Sequence, residues 1–292
     1  MNPGIVLTPV RYGDVSEMIS RRAFYKTHRK IVSDIYLHEQ VADDPAKITD
    51  ALLMRCPHGV LRGFAALQNR SFTLNLDDWM PIISIPRGSP PVATASGRIV
   101  RLVERDIVTI NGRRSVTAVQ SMVDIFTTPD GWGRWRDGAL LEEQVALTDH
   151  LLRQNQDLLA ILRRDPRTKT VASLANPLAE SRPESMVRVR LHQAGLTSWK
   201  PQIKVRGRDK FYFVDLGDPL LRVGIEYQGA HHFDREERAA DAQRANDLSW
   251  AGWTIMEVTS VILSSDVKWQ RFLNRVREEV VLAGQERNRR IS

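Results

Sequence analysis

The sequence predicts an α/β chain with an α+β N-terminal half and a C-terminal core in the order α-β-β-β-α-β-α. Three observations carry that expectation. Short alternating runs of β-forming residues recur between Gln202 and Val258. Capping signals at Ser181 and Asp234 open helices on either side of three of those runs. Leucines near helical spacing run from Leu140 to Leu162. The 292 residues suffice for two or three domains, and 42% hydrophobic and 26% charged residues are ordinary for a globular protein.

The elements are read in order. Residues 14–30 form a short helical region and a basic turn; Arg21, Arg22, Lys26, Arg29 and Lys30 give it five fixed positive charges and no acid. Ile31 to Leu37 reads as a strand. Asp44-Pro45 opens a helix through Ile48, Leu52 and Leu53, closed by Pro57 and Gly59. Residues 1–70 are thus compatible with part of a winged helix-turn-helix, whose cations would neutralise phosphates; a solvated basic surface is the competing reading. Residues 71–164 hold short strands at Phe72–Leu76, Ile82–Ile85, Ile99–Val103 and Ile107–Ile110. Asn111-Gly112 marks a tight turn. A helix follows from Val116 to Ile125, then a long one at about 138–163. Asp165 to Glu180 reads as a linker.

The C-terminal domain spans 181–284, with a basic tail at 285–292. Ser181-Arg-Pro-Glu184 has the spacing of a capping box with proline in the first turn, and Gly195 terminates the helix. Strands follow at Gln202–Val205, Phe211–Leu216 and Arg222–Tyr227. A helix opened by Asp234 ends at Gly252; then come a strand at Trp253–Val258 and a closing helix at 266–283.

The net charge of +7 is weak support for a polyanionic partner. The single cysteine, Cys56, excludes an internal disulfide and a thiolate-rich zinc site. No signal peptide and no apolar run of membrane-spanning length are visible, so a cytoplasmic protein without a membrane partner is expected.

Chemistry concentrates at the second and third C-terminal strands. Along Val223 to Gln228 the faces alternate, so Glu226 and Gln228 point the same way and Gly224 leaves room beside them. Asp215 ends the neighbouring strand, and Glu184 shares a helix face with Val187 and Leu191. Three acids can therefore meet at one end of a small sheet. Adjacent carboxylates repel and raise one another's pKa unless a cation intervenes. With oxygen donors alone, Mg2+ or Mn2+ suits the set best. Such an ion polarises a phosphoryl oxygen and activates water. The Gln228 amide can orient water or phosphate, and His231 or His232 can carry a proton near neutral pH. An acidic hairpin without catalytic purpose remains the alternative.

The order of elements, with Glu184, Asp215 and Glu226-Tyr-Gln228, resembles the PD-(D/E)xK nuclease superfamily. Residues 178–283 are more closely similar to very-short-patch-repair (Vsr) endonuclease-like domains. The likeness rests on Arg182-Pro-Glu184, Gln202, Asp215, Ile225-Glu226-Tyr-Gln228-Gly-Ala-His231-His232, Asp241-Ala-Gln-Arg244 and Leu248-Ser-Trp-Ala-Gly252-Trp253. It implies a restriction-endonuclease-like core that cleaves DNA with Mg2+ or Mn2+. Asp215 and Glu226 would ligate the metal, Glu184 would assist, and His232 and Arg244 would flank the scissile phosphate. The superfamily's usual lysine is replaced by Gln228. Lys204 or Lys210 could supply that charge from a neighbouring strand, against the favoured reading that both are ordinary surface lysines. RNA is the alternative substrate, because phosphate chemistry does not choose the sugar.

The N-terminal half more faintly resembles the AbiEi-type antitoxin/regulator proteins of actinobacteria, through Val60-Leu-Arg-Gly63-Phe-Ala-Ala-Leu67 and Asp106 to Gly112 with Thr117 and Asp124. The expected function is a metal-dependent DNA endonuclease with a DNA-contacting, regulator-like N-terminal half. The alternative is a non-catalytic DNA-binding regulator or antitoxin that keeps a nuclease fold.

Overall fold

In the computed structural model the chain divides into two units, Met1–Leu140 with Asp157–Thr170, and Leu141–Gln156 with Val171–Ser292. The structure describes residues 6–74, 79–103, 106–127, 140–229 and 235–291. Among these, twelve α-helices and three sheets make a mixed α/β protein. None of the described helices is long and apolar enough to cross a membrane.

The first unit begins with α1 (Tyr12–Val15) and α2 (Arg21–Thr27). The single helical region expected at 14–30 is interrupted, because the Ser20 side chain accepts the Ala23 amide and starts a new helix. Residues 28–38 are a hairpin rather than one strand: β1 (His28–Val32) pairs antiparallel with β2 (Ile35–His38). Ser33, at φ 50, lies in the connecting turn. Phe24 is wholly buried beneath it, its ring 5.2 Å from that of Tyr36 and 4.3 Å from that of His28. Asp44 caps α3 (Pro45–Arg55) through the Ala46 amide. The thiol of Cys56, at its C-cap, is buried, which raises its pKa.

Next come β3 (Val60–Arg62), α4 (Gly63–Asn69), β4 (Ile82–Ile85), β5 (Arg98–Arg101), β6 (Ile107–Ile110) and β7 (Arg113–Val116). Their five-stranded sheet has the order β5-β4-β3-β7-β6. Asn111 and Gly112, both at positive φ (50 and 72), turn β6 into β7 as their sequence demands. Phe72 to Leu74 is not a strand, and Asn75 and Leu76 lie outside the described residues. Helix α5 (Ala118–Thr127) packs on α4 and presents Asp124 to Arg62 in a buried two-pronged ion pair, at 2.5 and 3.0 Å.

The long helix expected at 138–163 is two helices, α6 (Leu141–Gln154) and α7 (Asp157–Arg164). Asn155 and Gln156 separate them, with Asp157 opening α7, and Asn and Asp side chains compete with the helical backbone for hydrogen bonds. The break has a consequence for organisation. Helix α7 packs on α5 in the first unit, whereas α6 packs on a C-terminal helix in the second. The expected linker at 165–180 contains α8 (Lys169–Leu174), with Val171 and Ala172 buried. Its later part is fastened to α6: the Asn176 amide donates to Asp149, and Arg153 donates to the Ala179 carbonyl.

The second unit contains α9 (Arg182–Gln193), β8 (Lys200–Arg206), β9 (Phe211–Asp218), β10 (Val223–Gln228), α10 (Arg235–Trp250) and β11 (Thr254–Thr259). A short α11 (Ser260–Leu263), not anticipated from sequence, precedes α12 (Asp266–Ile291). That last helix continues through the expected basic tail, because Gln285, Glu286 and Arg287 are good helix formers. The sheet order is β11-β10-β9-β8, with only β10 and β11 parallel. One face packs on α9 and α12 through Val187, Leu191, Ile225, Val258, Phe272 and Val276. The other face carries Val205, Tyr212, Val214 and Leu248, the last from α10. The result is a sheet between two helical layers.

Candidate active site

Helix α9 delivers Glu184 to the edge of that sheet. Ser181 accepts the Glu184 amide as N-cap, at 3.3 Å, and Pro183 occupies the first turn. The capping box is only half formed. Rather than returning to its own cap, Glu184 accepts the Glu180 amide at 2.9 Å and the Gln202 side-chain amide at 3.2 Å. Glu184 is only 9% exposed, so these donors replace the water its charge has lost. Gln202 sits in β8 at φ 53, a left-handed conformation costly for a residue with a Cβ. It stands opposite Asp215, at the position between the pairs Pro201↔Leu216 and Ile203↔Val214.

Asp215 lies where β9 and β10 part. Their ladder runs from Val223↔Asp218 to Ile225↔Leu216 and stops there. The Tyr227 amide then turns to the Asp215 carboxylate, at 2.9 Å, instead of a strand carbonyl. Asp215 has its pKa raised to about 6. Burial is the main cause, and the charges of Glu184 and Glu226 push further in the same direction; the Tyr227 amide and Arg244 oppose them.

Glu226 and Gln228 do share a face of β10, but the space expected beside Gly224 is filled. A Cβ at Gly224 would come within 2.7 Å of Val214 and 2.9 Å of Ile255, so this glycine serves close packing. Glu226 is paired with Arg244 of α10, at 2.5 Å between Oε1 and Nη2 and 3.4 Å between Oε2 and Nε. Arg244 also donates to the Phe213 carbonyl at 2.5 Å and lies over the Tyr212 ring. Asp215, Glu226, Gln228, Asp241, Arg244 and Glu257 all line one open cavity of about 800 Å³.

Glu184, Asp215, Glu226 and Arg244 are therefore gathered at one end of the sheet, with Gln228 beside them. Their acids are not drawn into one shell: among the described residues, no group of three or more His, Cys, Asp or Glu side chains could hold a metal ion. Each carboxylate has its own donor instead: Gln202 for Glu184, the Tyr227 amide for Asp215, Arg244 for Glu226. The oxygen-only donors of Asp215 and Glu226 still match a hard cation in kind. His231 and His232 lie outside the described residues.

The candidate nucleic-acid cations fall in both units. Arg21, Arg22, Lys26 and Lys30 are exposed on α2 and β1 of the first unit. Arg29 is held by Asp43 at 2.5 Å and by the Ala42 carbonyl. Lys204 belongs to the second unit, its ammonium 4.3 Å from the centre of the Phe211 ring. Phe211 and Phe213, in the strand expected at Phe211–Leu216, are both half exposed. Their alternation with Tyr212 and Val214, which face α10, was the signal available. Comparison with protein-family models and with curated proteins finds no match to this chain.

Proposed function

We propose that the second unit is a metal-dependent phosphodiesterase of endonuclease type acting on DNA, centred on Asp215 and Glu226. The observation that carries this reading is the Asp215 carboxylate at the parting of β9 and β10, with Glu184, Glu226 and Arg244 all acting on its charge. The α-β-β-β-α-β-α order supports a PD-(D/E)xK-type core of the Vsr-like kind. Asp215 and Glu226 would hold Mg2+ or Mn2+, which when bound supplies activated water and charge for the leaving oxygen. Glu184, fixed by Gln202, keeps negative charge behind Asp215 and favours a cation there. Arg244 balances Glu226 and presents a planar fork suited to a phosphate. The Gln228 amide, in the place of a lysine, can orient a phosphate oxygen or water without adding charge. His232 stays a candidate proton carrier by resemblance alone. The exposed cations of α2 and β1 would add DNA contacts from a regulator-like first unit.

A second reading, a non-catalytic DNA-binding regulator or antitoxin, is favoured by one observation: Arg244 already neutralises Glu226 without a metal. Supercoiled plasmid with Mg2+ or Mn2+ separates the two. Asp215→Asn and Glu226→Gln should each lower nicking about 10³-fold, the scale of several kcal/mol of lost charge stabilisation. Equal nicking by wild type and both variants would sink the catalytic reading. DNA binding without nicking by any of them would select the regulator.

A further inference from the structure

At its turn end, Lys204–Arg206 with Phe211–Val214, the β8–β9 hairpin has one face covered and one bare. Tyr212 and Val214 are packed beneath α10, with the Tyr212 hydroxyl donating to the buried Asp247 at 2.8 Å. Phe211 and Phe213 alternate with them and are 51% and 50% exposed. Opposite them across the strands stand Arg206 and Lys204, in the pairs Arg206↔Phe211 and Lys204↔Phe213. Both cations gather over one ring, the Lys204 ammonium at 4.3 Å and the Arg206 guanidinium at 5.7 Å from the Phe211 centroid. Residues 200–210 hold five basic side chains, Lys200, Lys204, Arg206, Arg208 and Lys210, against one acid, Asp209. Two residues beyond Phe213 along the same strand is Asp215.

We propose that this face is a platform for single-stranded DNA, on which unpaired bases stack against Phe211 and Phe213 while Lys204 and Arg206 take the adjoining phosphates. The proposal rests on the reading of the Asp215 site as a DNA phosphodiesterase and adds the form of its substrate. The charge of the patch calls for a polyanion, and its exposed rings call for flat partners; an unpaired strand supplies both. Spacing favours an unpaired strand over a duplex. Side chains two apart on a strand are separated by roughly 6.6 Å, about twice the 3.4 Å between stacked nucleotides of a helix. Bases meeting both rings must therefore be drawn out of their stack. An exposed cation–ring contact is weak, so the Lys204 ammonium can leave the Phe211 ring for a phosphate as a base arrives. The direction of β9 then carries the backbone toward Asp215.

The test is binding in EDTA, which keeps it independent of cleavage. Fluorescence anisotropy would follow a labelled oligothymidylate, the same length of abasic strand, a duplex and an oligouridylate. Wild type should prefer oligothymidylate to all three. Phe211→Ala with Phe213→Ala should weaken oligothymidylate binding about 100-fold, roughly tenfold for each ring, and leave the abasic strand unchanged. Phe211→Leu with Phe213→Leu keeps apolar surface without flat rings and should lose nearly as much. Unchanged binding by either double variant overturns the platform, as does equal binding of abasic and base-bearing strands. Stronger binding of duplex or of oligouridylate overturns the assignment to single-stranded DNA. A dimer abolished by the alanine pair, with DNA binding intact, would give the face to a second copy and overturn it too. Ring-dependent binding by wild type without plasmid nicking in Mg2+ or Mn2+ would sink the nuclease reading alone.

Discussion

Two basic hairpins, one in each unit, use the same residue types to opposite ends. Against β1–β2 the rings turn inward: Phe24 of α2 is buried and stacked on His28 of β1, with Tyr36 of β2 against it. One of its cations, Arg29, is engaged by Asp43 and a carbonyl. In β8–β9 the rings of Phe211 and Phe213 face water, and that of Phe211 collects two cations instead. Composition alone cannot separate these cases. What separates them is whether a second layer covers the aromatic face, which α1 and α2, just before it in sequence, supply for β1–β2.

The largest expected effect tests burial directly. Phe24→Ala should destabilise the first unit by about 3–5 kcal/mol, the cost of emptying a packed aromatic site. Phe213→Ala should change the second unit by no more than about 0.5 kcal/mol, as for an exposed residue. Chemical denaturation of each variant measures both, and similar losses would erase the contrast between the hairpins.

A smaller effect concerns what lies beside the second hairpin. The pKa of Asp215 is about 6 in the folded protein, against an ordinary value of 3.8. The folded state thus holds this proton more tightly, and the resulting stabilisation is full below the ordinary value and lost as pH rises through 6. The shift sets a ceiling of roughly 3 kcal/mol, which partial solvation reduces to about 1–2 kcal/mol. In EDTA, Asp215→Asn should therefore be more stable than wild type by about that amount near pH 7.5, and no more stable near pH 4. A constant difference across that range would show that burial and acidic neighbours do not set the Asp215 charge.

The smallest effect compares the exposed cations. For duplex DNA, Arg22→Ala with Lys26→Ala should lower the salt slope of binding by up to about 2. For a single strand, Lys204→Ala with Arg206→Ala should lower it by up to about 1.4. An unchanged slope in the first pair would return α2 to a merely solvated basic surface. Reversed preferences would exchange the roles of the two hairpins.

Much of the fold was legible wherever local chemistry decides it. Ile82–Ile85 and Ile107–Ile110 appear as expected, since apolar β-formers and the Asn111-Gly112 turn act within a few residues. The start of α9 at Ser181 and its end near Gly195, at φ 87, were equally readable. At the candidate site, the convergence of Glu184, Asp215 and Glu226 followed from alternation and helix phase. The hidden parts are long-range. That Arg244 would neutralise Glu226 depends on how α10 crosses the sheet, and that Gly224 serves packing depends on Val214 and Ile255 closing over it. The helix break at Asn155 was obscured because leucines continue at near-helical spacing on both sides of it.

Cys56 gives the molecule an internal clock for one of its halves. Its thiol is the only one in the chain, buried in the first unit, with its reactive thiolate suppressed by that burial. Modification by a thiol reagent must wait for that region to open, so its rate reports openings of the first unit and ignores events confined to the second. Opening of the first unit can thus be followed in the intact chain without introducing any label site.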